Sequence, residues 1–186
     1  MNQERLWAPW RVGYVQGEKE DDPIAEGIIL PEGADPKCFL CVSAADPDAR
    51  RRHVIHRSER TITLLNRYPY NNGHLLVAPI VHRGRLDELT GEEQSELMSR
   101  LTQMVGVLEK ALKPGGFNIG LNLGAAAGAG LPGHLHWHIV PRWIGDSNFM
   151  PSVAGVKVIP QSLDALWEIL TEQVAAVPTT RRADPT

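Results

Sequence analysis

In the run Gly133-His134-Leu135-His136-Trp137-His138-Ile139-Val140-Pro141-Arg142, three histidines alternate with three apolar residues. Successive side chains of a β-strand leave opposite faces, so this spacing lines the imidazoles along one face and sets Leu135, Trp137 and Ile139 on the other. Such a row serves a metal site or a nucleophilic imidazole, or it simply completes a face of the sheet. The only two cysteines, Cys38 and Cys41, form a C-x-x-C. In a reducing compartment that spacing points to metal or redox chemistry rather than to a stabilising crosslink.

Strands and a helix must hold these groups in place. His53-Val54-Ile55-His56, Thr61-Ile62-Thr63-Leu64-Leu65 and His74-Leu75-Leu76-Val77-Ala78-Pro79 are short, β-branched or aliphatic runs, the last two joined through the turn Tyr68-Pro69-Tyr70-Asn71-Asn72-Gly73. Thr90-Gly91-Glu92-Glu93 has the form of a capping box, and Leu97, Leu101, Met104, Val105, Leu108 and Leu112 follow at helical spacing until Pro114-Gly115-Gly116. This stripe reads as core. Phe117-Asn118-Ile119-Gly120-Leu121-Asn122-Leu123 alternates like the histidine run, with Asn118, Gly120 and Asn122 sharing a face. Gly124 to Gly133 holds only Gly, Ala, Leu and Pro, and Gly124, Gly128 and Gly130 are able to turn N–H groups toward an anion. Ser162 caps a last helix carrying Leu163, Leu166, Trp167, Leu170 and Val174.

Other stretches are less specific. Residues 5–14, with two Trp and a Tyr, read as an extended aromatic strap; Gln16 to Pro36 as loop; Asp46 to Arg52 as a solvated charged turn; Val156-Lys157-Val158-Ile159 as a short edge strand; and Pro178 to Thr186 as a disordered tail. The expected layout is a strap and loop over 1–36, a domain over 37–145, an extension with a helix over 146–177, and the tail over 178–186. The expected fold is α+β: an antiparallel sheet of about five strands with a long helix across it and a C-terminal helix nearby.

The whole chain limits the partners. At 186 residues it is one decorated domain, and a net charge of −3 gives no reason to expect nucleic acid. No stretch approaches the roughly 20 apolar residues of a membrane span, and the polar start is unlike a signal peptide, so a cytoplasmic, membrane-free protein is expected.

The order of these pieces, with N-x-x-x-x-x-x-G-H at Asn66 to His74, N-x-x-x-N at Asn118 to Asn122, a glycine loop and H-x-H-x-H, resembles the histidine triad (HIT) family of nucleotidyl hydrolases and transferases over about residues 37 to 143. The flanks Arg5-Leu6-Trp7-Ala8-Pro9-Trp10-Arg11, Tyr68-Pro69-Tyr70-Asn71, and Pro141-Arg142-Trp143 through Asn148-Phe149-Met150 resemble its branch of bacterial diadenosine tetraphosphate phosphorylases.

The resemblance implies that His136 attacks the α-phosphorus of a nucleotide and forms a nucleotidyl-imidazole, which a second acceptor cleaves. It gives His138 an electrostatic or proton-transfer role. It groups Cys38, Cys41, His82 and His134 as ligands of a structural Zn²⁺, with no organic cofactor. It places Asn66 at a ribose, His74 near the phosphates or in support of the triad, and Asn122 at the phosphate or reacting oxygen. The residues alone leave alternatives: Asn66 closing its turn, His74 as a buried structural histidine, Asn118 and Asn122 satisfying each other. Many members carry Ser, Thr or Gln just before the first triad histidine, where this chain has Gly130 and Leu131; backbone N–H groups of Gly128 to Gly130 then become the phosphate donors. The implied substrate is an adenine dinucleoside polyphosphate and the implied assembly a homodimer. Phosphate as acceptor makes a phosphorylase, while water makes a hydrolase of dinucleoside polyphosphates or nucleoside phosphoramidates. A nucleotide-binding interaction protein without turnover is the reading of another class, and an intact triad argues against it.

Overall fold

The computed structural model describes residues 24–146 and 159–176. Along the chain come α1 (Phe39–Ala45), β1 (Val54–Arg57), β2 (Thr61–Leu65), β3 (Leu75–Pro79), α2 (Gly91–Leu112), β4 (Gly116–Leu121), β5 (Trp137–Arg142) and α3 (Leu163–Ala175), with 3-10 turns at Leu86–Glu88 and Ala125–Ala127. The five strands form one sheet in the order β1-β2-β3-β5-β4, and every neighbouring pair is antiparallel. The expected strap at 5–14 and the tail lie outside the described residues, as does the edge strand expected at Val156 to Ile159 except for Ile159, which is not in a strand.

The position of β5 follows from its two neighbours. The glycine-rich connection folds it back on β4, with Gly120 opposite His138, and its other edge meets β3, with Leu76 opposite His138. The histidine strand therefore lies inside the sheet, its backbone fixed from both sides.

The strands' period of two feeds separate cores. Leu65, Leu75, Val77 and Ile139 face α2 and α3, packing with Leu97, Leu101, Met104, Leu108, Leu166 and Leu170. Ile62, Leu64, Leu76 and Ala78 face the other way, against Cys38, Leu40 and Cys41 at the start of α1. With both faces covered, β2 and β3 are buried at every position. Each buried leucine contributes about 1.5–3 kcal/mol relative to exposure.

Local chemistry sets the helix ends. Thr90 Oγ1 accepts from the Glu93 N–H, and Glu93 returns a carboxylate to the Thr90 N–H, the reciprocal box expected from the sequence. Lys113 takes the left-handed conformation directly before Pro114, which cannot continue the helix. Ser162 caps α3 as expected, and Trp167 Nε1–H donates to Val54 O at 2.9 Å, joining α3 to β1. Among the described residues, no helix is long and apolar enough to cross a membrane.

The stretch from Asp46 to Arg52 departs from expectation. Asp46 is buried and its carboxylate accepts from both Arg51 and Arg52, while Arg57 donates to the carbonyls of Ser43 and Asp46. Instead of a solvated turn, this is an ionic clamp on the C-terminus of α1. The cause is the convergence of Arg51 and Arg52 on the carboxylate, with Arg57 reaching back from β1 to the carbonyls.

Candidate functional site

His134 and His136 precede the first hydrogen-bonded residue of β5, yet the alternation holds through them. Leu135 is buried in the helical core, its N–H bound to Arg83 O at 2.6 Å, with Ile139 alongside. The three imidazoles emerge on the other side and then separate by task.

His134 pairs through Nε2 with Pro79 O at 2.9 Å. A carbonyl only accepts, so Nε2 carries the proton and Nδ1 offers its lone pair. That Nδ1 lies 3.2 Å from Cys38 Sγ and 3.5 Å from Cys41 Sγ. His82, on the loop after β3, places Nδ1 3.2 Å from Cys41 Sγ. Cys38 is the N-cap residue of α1 and Cys41 sits in its first turn, so the C-x-x-C spacing sets both sulfurs at the same helix end. The four ligand atoms all lie within 4.8 Å of one another. A tetrahedral ion with metal–N and metal–S bonds of about 2.0–2.3 Å has ligand–ligand edges of about 3.3–3.8 Å, close to the three sulfur–nitrogen separations of 3.2, 3.5 and 3.2 Å and shorter than the 4.8 Å that bounds the set. Burial pushes the Cys38 thiol up to about 12 and the His134 imidazole down to about 4. The ring is then a neutral ligand, and a thiolate in this pocket needs a cation to hold it. These four residues can hold a metal ion. Gly133 is part of the fit, because a β-carbon there would come 3.3 Å from His82 Nε2.

His136 Nδ1 pairs with the carbonyl of His134 at 2.8 Å. The same reasoning puts its proton on Nδ1 and the lone pair on Nε2. Burial holds its pKa below the ordinary imidazole value, so the ring is neutral at pH 7. This is the tautomer that a nucleophile requires. The His138 ring stands 5.1 Å from that of His136, nearly edge-on.

His74 enters from the start of β3. Gly73 has φ of +70°, a left-handed backbone that L side chains rarely adopt, so the conformation itself calls for the glycine ahead of this histidine. His74 is buried, stacks on Tyr70 and places Nε2 2.9 Å from His138 Nδ1. Asn66 closes its own turn, accepting the Tyr68 N–H at 2.9 Å, and its Nδ2 is 3.3 Å from His74 Nδ1.

Asn118 is bound by Arg142 Nη1 at 2.7 Å, so it partners a charge rather than Asn122. Asn122 follows directly after β4, half-buried, on the face of Gly120 and His138. In the glycine loop, the Gly128 N–H donates to Ala125 O and the Ala129 N–H to Gly124 O, inside the 3-10 turn. Gly130 is exposed, ahead of His134.

Two groups escaped sequence reasoning. Asp46 with its arginines stabilises the helix that carries Cys41. Asp146, half-buried with its side chain turned in beside β5, accepts from Arg142 and from Asn71 Nδ2 at 2.8 Å. The Pro-Arg ending of the histidine run and the Tyr-Pro-Tyr-Asn turn were visible signals; their pairing was not.

Comparison with known proteins agrees with this geometry. The family model described as "HIT domain" matches residues 49–143. The chain is similar to a protein of Mycobacterium tuberculosis named AP-4-A phosphorylase, 38% identical over 177 residues that make up 94% of this chain and 86% of that one. Among solved structures, a hypothetical histidine triad nucleotide-binding protein of Sulfolobus tokodaii superposes with a TM-score of 0.60 at 24% identity, over 75% of this chain and 93% of that one. A Zn-bound histidine triad family protein of Mycobacterium smegmatis gives 0.59 at 24% identity, over 74% and 92%. This chain belongs to the histidine triad family.

Proposed function

We propose that this protein is a nucleotidyltransferase that cleaves dinucleoside polyphosphates, diadenosine tetraphosphate first among them, with inorganic phosphate as acceptor. The observation that carries the reading is the His136 imidazole: neutral, its Nδ1–H bound to the His134 carbonyl, its Nε2 lone pair available. The relative named AP-4-A phosphorylase supports the choice of substrate and acceptor.

His136 Nε2 attacks the α-phosphorus, a P–N bond forms, and the P–O bond to the rest of the polyphosphate breaks with its electron pair leaving on oxygen. The Nδ1 proton stays on the ring, where the His134 carbonyl supports the positive charge. A phosphate oxygen then attacks phosphorus, the P–N bond breaks, and neutral His136 returns. His138 stabilises charge at the reacting phosphate and the departing oxygen. Asn66 binds ribose with the capacity its turn leaves over, Asn122 and the Gly130 backbone serve the phosphates in place of Gly128, whose N–H is spent on Ala125 O, and His74 supports His138.

Zn²⁺ is the ion that a Cys₂His₂ set selects, and four protein ligands make a closed structural site. Cys38, Cys41, His82 and His134 thus fasten α1, the loop after β3 and the entry to β5. Their thiols fit a reducing, cytoplasmic setting. A homodimer forms along the outer edge of β4, which among the described residues has no strand beyond it in the sheet and exposes Ile119, with Leu123 just past its end.

Product analysis tests the activity. With diadenosine tetraphosphate and phosphate the expected products are ADP and ATP. AMP and ATP in the presence of phosphate would mean hydrolysis, and full turnover by His136→Ala would overturn the nucleophile.

A further inference from the structure

The Tyr-Pro-Tyr-Asn turn and the Pro-Arg end of β5 are joined by a buried polar truss. Asn71 spends both Nδ2 hydrogens across the gap, one on Pro141 O at 2.9 Å and one on Asp146 Oδ2 at 2.8 Å. Asp146 also accepts from Arg142 Nε and Nη2 and from the Trp143 N–H. The Asn71 carbonyl accepts the His74 N–H. This truss fixes the backbone of the turn, and the neighbouring Tyr70 N–H points at His74 Nδ1 from 3.0 Å.

That contact decides where two protons sit. His74 Nδ1 receives the Tyr70 N–H, and Asn66 Nδ2 approaches it as a second donor. The orientation of the Asn66 amide is fixed, since its oxygen accepts from Tyr68. A nitrogen that accepts N–H bonds carries no proton, so the His74 proton is on Nε2. Nε2 faces His138 Nδ1 at 2.9 Å. His138 Nδ1 is thereby an acceptor, and its own proton is on Nε2. Charging His138 requires a second proton on Nδ1, where it would meet the His74 Nε2–H head on. The rings facing His138 are those of His74, Tyr70 and His136, and its register neighbours on the flanking strands are Leu76 and Gly120.

We propose that Asp146 and Asn71 are positioning residues which, through the Tyr70 N–H and His74, hold His138 as a neutral Nε2–H donor. This rests on the nucleotidyl-transfer reading for its kinetic consequence: His138 stabilises the departing oxygen by donating a hydrogen bond and keeps its proton. The tautomer itself is a property of the protein without substrate.

The experiment uses the full chain labelled with ¹⁵N in its histidines. Long-range ¹⁵N–¹H spectra read each tautomer, and kcat and KM for diadenosine tetraphosphate are followed against pH. Wild type is expected to show His138 protonated at Nε2 and bare at Nδ1 from about pH 6 to 8, spanning the ordinary imidazole pKa of about 6.5. Asp146→Ala and Asn71→Ala should mix the His138 tautomers and bring its protonation into that window. They should also lower kcat about 10- to 100-fold with little change in KM, the cost of a small misplacement at a distance. His74→Gln, whose amide can donate to His138 Nδ1, should restore the Nε2–H form and most of the kcat that His74→Leu loses; this pair decides the matter if the truss variants do not fold. A wild-type His138 protonated at Nδ1, or an Asp146→Ala protein with unchanged tautomer and kcat, would overturn the proposal. If wild type cleaves no dinucleotide, the assigned activity fails, while the spectra still decide the tautomer.

Discussion

His134 serves two sites at once: its ring Nδ1 lies 3.2 Å from Cys38 Sγ, and its carbonyl accepts the Nδ1–H of His136 at 2.8 Å. The residue that completes the Cys₂His₂ set also fixes the tautomer of the proposed nucleophile. Purified protein should contain one zinc per chain by elemental analysis. Cys41→Ser or exhaustive chelation should remove it and lower kcat by about 10- to 100-fold, the usual cost of disturbing groups that orient a site. Zinc-free preparations with full activity would separate the two roles.

Replacing His136 removes the proposed attacking nitrogen and leaves the four candidate metal ligands in place. His136→Ala should keep its zinc and lose turnover on the order of 10⁴-fold or more. In wild type mixed with diadenosine tetraphosphate and no phosphate, intact-protein mass spectrometry after rapid quench should show a covalent nucleotidyl adduct. The variant should show none.

Asp46 gives an acid-side prediction. Burial opposes its charge, but hydrogen bonds from Arg51 and Arg52 prevail and hold the carboxyl at about 2, below its ordinary 3.8. Lowered in the fold, it contributes stability that is present above pH 3.8 and lost as pH falls through 2. Asp46→Ala at neutral pH leaves the buried Arg52 without its carboxylate, and about 3–5 kcal/mol of unfolding free energy should disappear in urea titration.

His56 works in the same direction at milder pH. Burial, then the charge of Arg100, holds its imidazole down to about 4 from 6.5. The unfolded chain takes up this proton first, so the contribution is complete above pH 6.5 and is lost as pH falls toward 4, amounting to about 3 kcal/mol. His56→Phe should flatten the stability profile over that interval. A profile identical to wild type would exclude His56 as the group responsible.

Much of this was legible from residue order. The two-residue period through His134, His136 and His138 survives even ahead of the formal strand, because Leu135 and Ile139 are anchored in the core. The Thr90 box and the Ser162 cap are local, and they stand where the sequence places them. What stayed hidden depends on register and on long side chains. Asn118 meets Arg142 only because β4 and β5 pair with Gly116 opposite Arg142. Asp46 is buried only because Arg51, Arg52 and Arg57 converge on it and its carbonyl. Charged residues in a turn read as solvated because composition does not show which of them fold back on one another.

The contact between Cys38 and His134 spans 96 residues of sequence. An ion shared by those two side chains therefore closes a loop of more than half the chain, and it limits the unfolded ensemble much as a covalent crosslink does. Because only the folded chain assembles all four ligands, the melting temperature should climb with free metal concentration, each tenfold rise above Kd adding about 1.4 kcal/mol. On the proposed metal site, metal supply would set how long the protein survives as well as how it is built.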